Sequence, residues 1–373
     1  MKIAIFSSSN TIFTYCYIKL FESIGYEVKL FNNNDEYHCN INYCVNYKKK
    51  VNSNFKRNIK KIFKIFHLTR LLNYLVDKKE KNNSLSSEEL NLLSEELIKF
   101  NPDKCFFFWS TLFKSEINLI SKILPQVENI ISVNTYPIRS DFETFTKNKF
   151  FESDKEYFLK FNKIIFPSYK MQSLFLEAGY VRNTSHAIVC PEIINDFDEK
   201  TKIKNSKEND FYNIIFLGNT NFSERKIDDI SNIIKKLASA GFKVYIQESQ
   251  DTKKLCLDNV NVFNPFSFKE ILNGDLLSYI SSFDAVLYSY STVNEIRYNN
   301  SVTTRLLLSE GSGVPVYTNN KIPELIKDEL IDVDISEFNS VNELKSMIDK
   351  KRNVIHKNRI NKRKSILIDF IRN

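Results

Sequence analysis

The sequence is poor in the residues from which metal sites and disulfides are built. Its 373 residues include four histidines and six cysteines, and no two cysteines stand as a Cys-x-x-Cys pair. Zinc sites need His and Cys at short, regular spacing, so this pattern excludes the common zinc folds. The scattered cysteines fit a reducing cytoplasm better than an oxidising compartment.

Long apolar runs are missing as well. No stretch approaches the roughly 18 apolar residues that a membrane-spanning helix needs, and the opening MKIAIFSSSN holds only a short apolar run after its lysine. That run is too short for a secretory signal and is typical of a first β-strand. We therefore expect a cytoplasmic protein, with a peripheral position at the inner face of the cytoplasmic membrane as an alternative.

The sequence does contain a regular alternation of strand and helix patterns. In the first half, buried-type strands are predicted at 2–6, 26–31, 102–109, 129–134, 162–168 and 187–191, with helices at 11–24 and 169–180. The second half repeats the alternation, with strands at 212–218, 242–247, 259–263, 284–289 and 314–318 and helices at 227–241 and 274–283. Strands separated by helices predict parallel sheets with helices on both faces, hence an α/β protein.

A polar segment divides the two halves. Residues 195–210 are charged and lack apolar periodicity, which is typical of a linker. We predict Rossmann-like domains over 1–197 and 211–351, joined by a linker over 198–210. A basic helix over 352–373 is expected to pack back on the first domain. Ligands of such sheets bind at the carboxyl ends of the strands, so the two domains should face each other across a binding cleft.

One segment, NNSVTTRLLLSEGSGVPVYTNN over 299–320, combines three features of an anion site. Residues 301–304 begin a predicted helix, whose free N–H groups and dipole favour an anion. Arg305 lies in the first turn and can bind a phosphate with two hydrogen bonds. Gly311 and Gly313 are predicted to end the helix and turn the chain into the next strand. An ordinary helix with a solvated Arg305 and a glycine cap explains the segment equally well.

The second half resembles the nucleotide-sugar-binding domain of GT-B glycosyltransferases, and glycosyltransferase family 4 in particular. The likeness is sharp in FDAVLYSYSTVNEIRYNNSVTTRLLLSEGSGVPVYTNN, 283–320, and in the strand, glycine and basic residues of 212–226. In the first half, the strand–helix–strand unit at 161–193 is similar to the last unit before the family's linker. The resemblance implies a GT-B fold, a nucleotide-sugar donor held by the second domain and an acceptor held by the first.

Carried over by position, the resemblance assigns roles to particular residues. Arg305 falls on the basic residue that neutralises the donor diphosphate, and Arg225 or Lys226 falls on the second one. Gly218 falls on the glycine that brings a loop close to the phosphates. Two cations and a helix dipole suit a diphosphate leaving group whose charge grows during transfer, so no metal and no other cofactor is expected. The expected donor site comprises Gly218, Asn219, Ser301, Thr303, Thr304, Glu310, Glu295 and Gly313.

The sequence also departs from the family pattern. The ribose-binding Glu should fall at Leu308, whereas this chain has Glu310 two positions later, and Glu295 is the alternative. The His that retaining members often place after the fourth strand corresponds to Asn134, which cannot transfer a proton. Asp141 in the following loop is therefore a candidate base, with a solvated loop acid as the alternative explanation. The anomeric outcome stays open.

The segment YKKKVNSNFKRNIKKIFKIFHLTRLLNYLV, 47–76, contains no acidic residue. Its phenylalanines and isoleucines recur at helical spacing, with lysines mostly on the other face. Such a helix can lie on an anionic membrane surface, and a core-packed helix with a basic face is the competing interpretation. A partner nucleic acid is not expected, since no recognition motif or aromatic platform accompanies the basic residues.

Together these features favour a glycosyltransferase that moves a sugar from a nucleotide-sugar donor to a hydroxyl of a glycan or lipid-linked glycan. The resemblance implies bacterial surface polysaccharide biosynthesis as the setting. Two alternatives stay open. One is another enzyme on the same fold, such as a sugar-nucleotide 2-epimerase or a polyol-phosphate polymerase. The other is a non-catalytic subunit of GT-B type that binds a glycan or partners an active enzyme.

Overall fold

The structure, a computed structural model, describes residues 1–8, 12–33, 44–47, 85–109, 111–134, 151–194, 212–223, 229–255, 257–289, 301–318, 346 and 357–373. Within these ranges it contains two parallel sheets. The strands of the first sheet are β1 Lys2–Ser7, β2 Glu27–Asn32, β3 Cys44–Asn46, β4 Lys104–Phe108, β5 Glu128–Ser132, β6 Lys163–Phe166 and β7 Ala187–Val189. Those of the second are β8 Asn213–Phe216, β9 Lys243–Gln247, β10 Val260–Phe263, β11 Ala285–Tyr288 and β12 Val316–Thr318.

Both sheets have the doubly wound strand order. The first runs β3-β2-β1-β4-β5-β6-β7 and the second β10-β9-β8-β11-β12, with every described pair parallel. The direction of winding therefore reverses between β1 and β4 in the first sheet and between β8 and β11 in the second. In such sheets the crevice at the reversal, at the carboxyl ends of the strands, is where ligands bind.

Helices cover the faces of the sheets, as the continuous burial of the central strands requires. The helices of the first half are α1 Ile12–Ser23, α2 Ser87–Phe100, α3 Lys114–Ile123, α4 Phe151–Phe158 and α5 Tyr169–Glu177. Those that follow are α6 Ser231–Ser239, α7 Phe268–Leu272, α8 Asp275–Ile280, α9 Thr304–Ser312 and α10 Lys357–Arg372, with a 3₁₀ turn at Thr252–Lys254. None of the described helices is long and apolar enough to cross a membrane.

The apolar core connects the two halves of the chain. One cluster of buried side chains contains residues of α1 and β4 together with residues of α8, α9 and α10. Two further clusters fill the other face of each sheet, one in each half of the chain. The two sheets therefore share a packed apolar layer, while each keeps a core of its own.

Helix α10 packs back on the first sheet, which confirms that part of the predicted fold. The Lys104 ammonium group, at the start of β4, donates to the carbonyl oxygen of Ile371 at 2.5 Å. The Lys163 ammonium group lies 5.6 Å from the centre of the Phe370 ring. Glu128 forms ion pairs with both lysines, so the amino ends of three neighbouring strands anchor the end of the chain.

Elsewhere the structure adds elements that the sequence analysis did not predict. Strand β3 and helices α2, α3, α4 and α7 were all missed. Helix α2 nevertheless has a readable start, because Ser86 and Glu89 form a reciprocal capping box. One prediction was wrong. Gly311 does not end the helix after Arg305 but lies inside α9, against Leu277 and Ile194.

In sequence, the strands of the first sheet precede the polar segment 195–210 and those of the second sheet follow it. The segment itself lies outside the described ranges. The domain boundaries at 197, 210 and 351 stay predictions. The basic segment is also outside the described ranges, except for Tyr47, so its contact with a membrane or with the core stays a prediction too.

Candidate functional site

The reversal point of the second sheet brings together the two segments that the sequence analysis singled out. Strand β8 ends at Phe216 and leads to Gly218, while α9 begins at Thr304 after strand β11. Strands β8 and β11 are hydrogen-bonded neighbours, with Phe216 opposite Leu287. The glycine loop and the helix start therefore share one crevice, in the position where doubly wound sheets bind ligands.

Arg305 meets the glycine loop directly. Its guanidinium carbon lies 5.1 Å from the centre of the Phe216 ring, in a cation–π arrangement. Phe216 is fully buried, so the ring is a fixed platform. A Cβ atom added to Gly218 would approach the Arg305 guanidinium carbon to 2.7 Å and would overlap the Phe216 ring. Position 218 therefore has room for glycine only, while Phe216 and Arg305 keep these places.

The first turn of α9 presents polar groups at the same crevice. Thr303 is the N-cap in an extended conformation, but its side chain makes no capping hydrogen bond. The hydroxyl oxygens of Ser301 and Thr303 are buried, and neither has a hydrogen-bond partner among the described residues. Ser301 is only 3% exposed. Buried hydroxyls beside the free N–H groups of a helix start are suited to accommodating an anion.

The far end of α9 is a glycine turn, as predicted for Gly313. Its φ of +69° is left-handed, and the N–H of Val314 donates to the Ser309 carbonyl at 3.1 Å. This bond, together with that from Gly313 to Glu310, is the pattern of a Schellman cap. The cap fixes the length of α9 and leads the chain straight into β12.

Glu310 has a partner that the sequence analysis did not foresee. Its carboxylate is buried and forms an ion pair with the Arg363 guanidinium of α10, which is also buried. A ribose could use this carboxylate only by competing with Arg363. The predicted ribose role of Glu310 is untested, and the structure gives the residue a contact between α9 and the C-terminal helix.

The other predicted residues divide into described and undescribed positions. Asn219 accepts a hydrogen bond from the N–H of Asn221 at 3.0 Å, which shapes the loop after Gly218, and Thr304 is exposed in the first turn of α9. Arg225, Lys226, Asp141 and Glu295 lie outside the described ranges, so their roles stay predictions.

A second polar group, which the sequence analysis missed, lies at the carboxyl edge of the first sheet. Trp109 follows β4, Asn134 follows β5 and Glu192 follows β7. The Glu192 carboxyl group accepts a hydrogen bond from the Trp109 indole N–H, and its other oxygen lies 3.5 Å from the Asn134 amide nitrogen. Burial raises the pKa of Glu192 to about 8. The available signals were weak: Trp109 is the only tryptophan of the chain, and Glu192 follows a proline.

Among the described residues, no group of three or more His, Cys, Asp or Glu side chains is placed to hold a metal ion. The expectation that the reaction needs neither metal nor cofactor stays a prediction.

Comparisons with known proteins bear on the fold. No protein-family profile and no curated protein sequence matches the chain. Several solved structures do match the chain. The lipopolysaccharide outer core galactosyltransferase WaaB in its apo form superposes with a TM-score of 0.55 at 10% identity, over 95% of this chain and 90% of that one. Sucrose-phosphate synthase from Thermosynechococcus elongatus superposes with a TM-score of 0.60 at 8% identity, over 98% of this chain and 94% of that one.

A third similar structure is that of an enzyme with a different type of reaction. It is the UDP-GlcNAc 2-epimerase from Neisseria meningitidis bound to UDP-GlcNAc, with a TM-score of 0.55 and 12% identity, over 100% of this chain and 99% of that one. At such identities the likeness concerns the fold alone. It covers nearly the whole chain and confirms the predicted α/β architecture of GT-B type.

Proposed function

We propose that this protein is a glycosyltransferase, which moves a sugar from a nucleotide-sugar donor to a hydroxyl group of a glycan or lipid-linked glycan. The observation that carries the proposal is the crevice between β8 and β11, where Arg305, the Gly218 loop and the start of α9 converge. Support also comes from the similar structures. Two of them are structures of a galactosyltransferase and of a sucrose-phosphate synthase, and a third was solved with UDP-GlcNAc bound.

The chemistry of transfer explains why such a crevice would be needed. The acceptor oxygen forms a bond to the anomeric carbon, while the bond from that carbon to the diphosphate oxygen breaks and its electron pair leaves with the diphosphate. Negative charge therefore grows on the leaving group. Arg305 and the N–H groups of α9 stabilise that charge without rearrangement, because Phe216 and the helix hold them in place.

The proposal includes a setting. The resemblance and the likeness to a lipopolysaccharide galactosyltransferase favour bacterial surface polysaccharide synthesis, with the acceptor held by the first domain. Segment 47–76 would then keep the enzyme at an anionic membrane surface, in reach of a lipid-linked acceptor. Asp141 is the candidate base for the acceptor hydroxyl.

The test is a thermal-shift screen with UDP, GDP, CMP and their common sugar conjugates. A ligand that binds the native state raises the melting temperature by mass action. We expect one nucleotide class to stabilise the protein and Arg305→Ala to abolish the effect. Arg182→Ala is the matched control, because Arg182 is exposed and precedes β7, an edge strand of the first sheet, whereas the crevice lies in the second sheet. Stabilisation by no nucleotide, in a folded protein, would refute the proposal.

The epimerase alternative is favoured by one observation, the structural likeness to UDP-GlcNAc 2-epimerases. A 2-epimerase would convert UDP-GlcNAc to its epimer without any acceptor. Incubation with UDP-GlcNAc alone, followed by chromatography of the nucleotide sugars, separates the two reactions. Binding of a donor with neither conversion nor transfer would favour the non-catalytic alternative.

A further inference from the structure

Trp109 occupies an unusual place and conformation. It follows β4 directly, at the point where the winding of the first sheet reverses between β1 and β4. Its φ is +54°, a left-handed conformation that a bulky residue adopts only when its surroundings impose it. The ring packs edge-on against Phe13 and Phe108, with centroids at 6.1 and 5.9 Å, yet the residue is only partly buried. An aromatic ring is thus held in place at the ligand-binding edge of the sheet.

Glu192 holds the polar edge of that ring. Glu192 is 4% exposed, and its carboxyl group accepts the indole N–H, while the Asn134 amide nitrogen lies 3.5 Å from its other oxygen. No ion pair involves Glu192 within the described ranges, so no cation there compensates a charge on it. The hydrogen bond from Trp109 favours the ionised form, but burial outweighs it and raises the pKa to about 8. Near neutral pH the carboxyl group is therefore mostly protonated.

Tyr17 is the titratable group that interacts with this carboxyl group, and Cys190 and Arg363 act on Tyr17 in turn. The Tyr17 hydroxyl of α1 is buried, and burial raises its pKa, with smaller contributions in the same direction from Cys190 and Glu192. Arg363 of α10 acts on Tyr17 in the opposite direction. Since the pKa of Tyr17 is well above its ordinary value, Tyr17 stays neutral in the range in which Glu192 ionises.

We propose that Glu192 is a positioning residue, which holds the Trp109 indole and the Asn134 amide at the carboxyl edge of the first sheet so that a pyranose ring of the acceptor packs on the indole. The identity of the ligand rests on the proposed function. A flat apolar face beside a hydrogen-bonding amide matches a sugar ring, whose C–H groups form an apolar face and whose hydroxyls point outward.

Ionisation should disturb this arrangement. A carboxylate at this position has no compensating cation among the described groups, so it would draw in water or move toward it. A carboxylate that stays in place accepts the indole N–H more strongly, so the contact with Trp109 loosens only if the carboxylate moves toward water and away from the ring. The site is therefore expected to bind a neutral sugar in neutral solution and to lose affinity as pH rises through about 8.

The first experiment follows Trp109 fluorescence in the full-length protein between about pH 6 and about pH 9, a range that brackets the raised carboxyl pKa and stays below the ordinary tyrosine pKa of about 10. Trp109 is the only tryptophan, so the emission reports on this site alone. We expect a single transition with a midpoint near pH 8 in the wild type, and none in Glu192→Gln, whose amide still accepts the indole N–H. No transition in the wild type, or one that persists in Glu192→Gln, would overturn the positioning role. The absence of a transition in the wild type overturns the role even if the variant folds poorly.

The second experiment adds methyl glycosides of glucose, galactose and N-acetylglucosamine at neutral pH, without nucleotide. A saturable change in Trp109 emission is expected for at least one, with an affinity that weakens at least tenfold above the transition in the wild type but not in Glu192→Gln. A linear response to every glycoside would overturn the sugar-packing claim. Because no nucleotide is present, this failure is distinct from a failure of the donor site, which the thermal-shift screen detects.

Discussion

Removing Arg363 should destabilise the protein strongly, because it leaves a buried carboxylate without its partner. Arg363 is 6% exposed and Glu310 is 7% exposed, and the two form the ion pair that joins α10 to α9. Breaking a buried pair on one side typically costs about 3–5 kcal/mol. We expect Arg363→Met to lower the free energy of unfolding by about that amount, measured as a shift of the urea midpoint.

A double variant separates the pair from simple loss of packing. Replacing both partners by apolar side chains removes the uncompensated charge, so Glu310→Met with Arg363→Met should recover most of the stability. Lys253→Met is the matched control, because it breaks an exposed ion pair with Glu248 at 2.8 Å and should cost less than about 1 kcal/mol. If Arg363→Met costs no more than Lys253→Met, the buried pair does not hold α10 in place and the reasoning fails.

Three further changes have defined outcomes. Gly218→Ala should weaken nucleotide binding at least tenfold in a calorimetric titration, because the added methyl group displaces Arg305 or the buried Phe216 ring; unchanged affinity would contradict the close approach. Gly313→Ala should cost only about 1 kcal/mol of stability in urea, since its methyl group meets nothing and only the left-handed backbone is strained. Wild-type stability should fall as pH rises from about 4.5 to about 8, by at most about 5 kcal/mol, because the folded state holds the Glu192 proton more tightly than the unfolded state. Glu192→Gln should remove that slope, and an equal slope in both proteins would assign it to another group.

The fold was largely predictable because the central strands are continuous apolar runs. Segments such as KIAIF and DAVLYS are too short for helices and too apolar for loops, so their alternation with helical patterns fixes the parallel order. The missed helix α2 shows the limit of that reasoning. Its capping box was readable, but its buried face is narrow, comprising Leu93, Leu97 and Phe100.

The crevice of the second sheet was predictable because most of its parts are close in sequence. A helix start, an arginine and a terminating glycine fall within residues 301–313, and local rules for helix ends apply to them. That Arg305 and Gly218 lie together was accessible only through the resemblance, and the contact of Arg305 with Phe216 was not predicted, since residues 216 and 305 belong to different strand–helix units.

The long-range contacts of Glu192 and of Glu310 could not be predicted in the same way. Glu192 and Trp109 are 83 residues apart, and Arg363 and Glu310 are 53 apart. Such pairs depend on strand order and on where the C-terminal helix returns, which no local pattern encodes. The burial that raises the pKa of Glu192 is likewise a property of the folded chain.

The central claim is that the crevice between β8 and β11 binds the diphosphate of a nucleotide-sugar, and calorimetric titration tests it most directly. UDP and GDP are compared with their unphosphorylated nucleosides, in the wild type, in Arg305→Ala and in Arg182→Ala. The account predicts that one nucleoside diphosphate binds, that its nucleoside binds at least tenfold more weakly, and that only Arg305→Ala loses the difference. Equal affinity of Arg305→Ala and wild type for that diphosphate, or no binding of either diphosphate to the wild type, would contradict it.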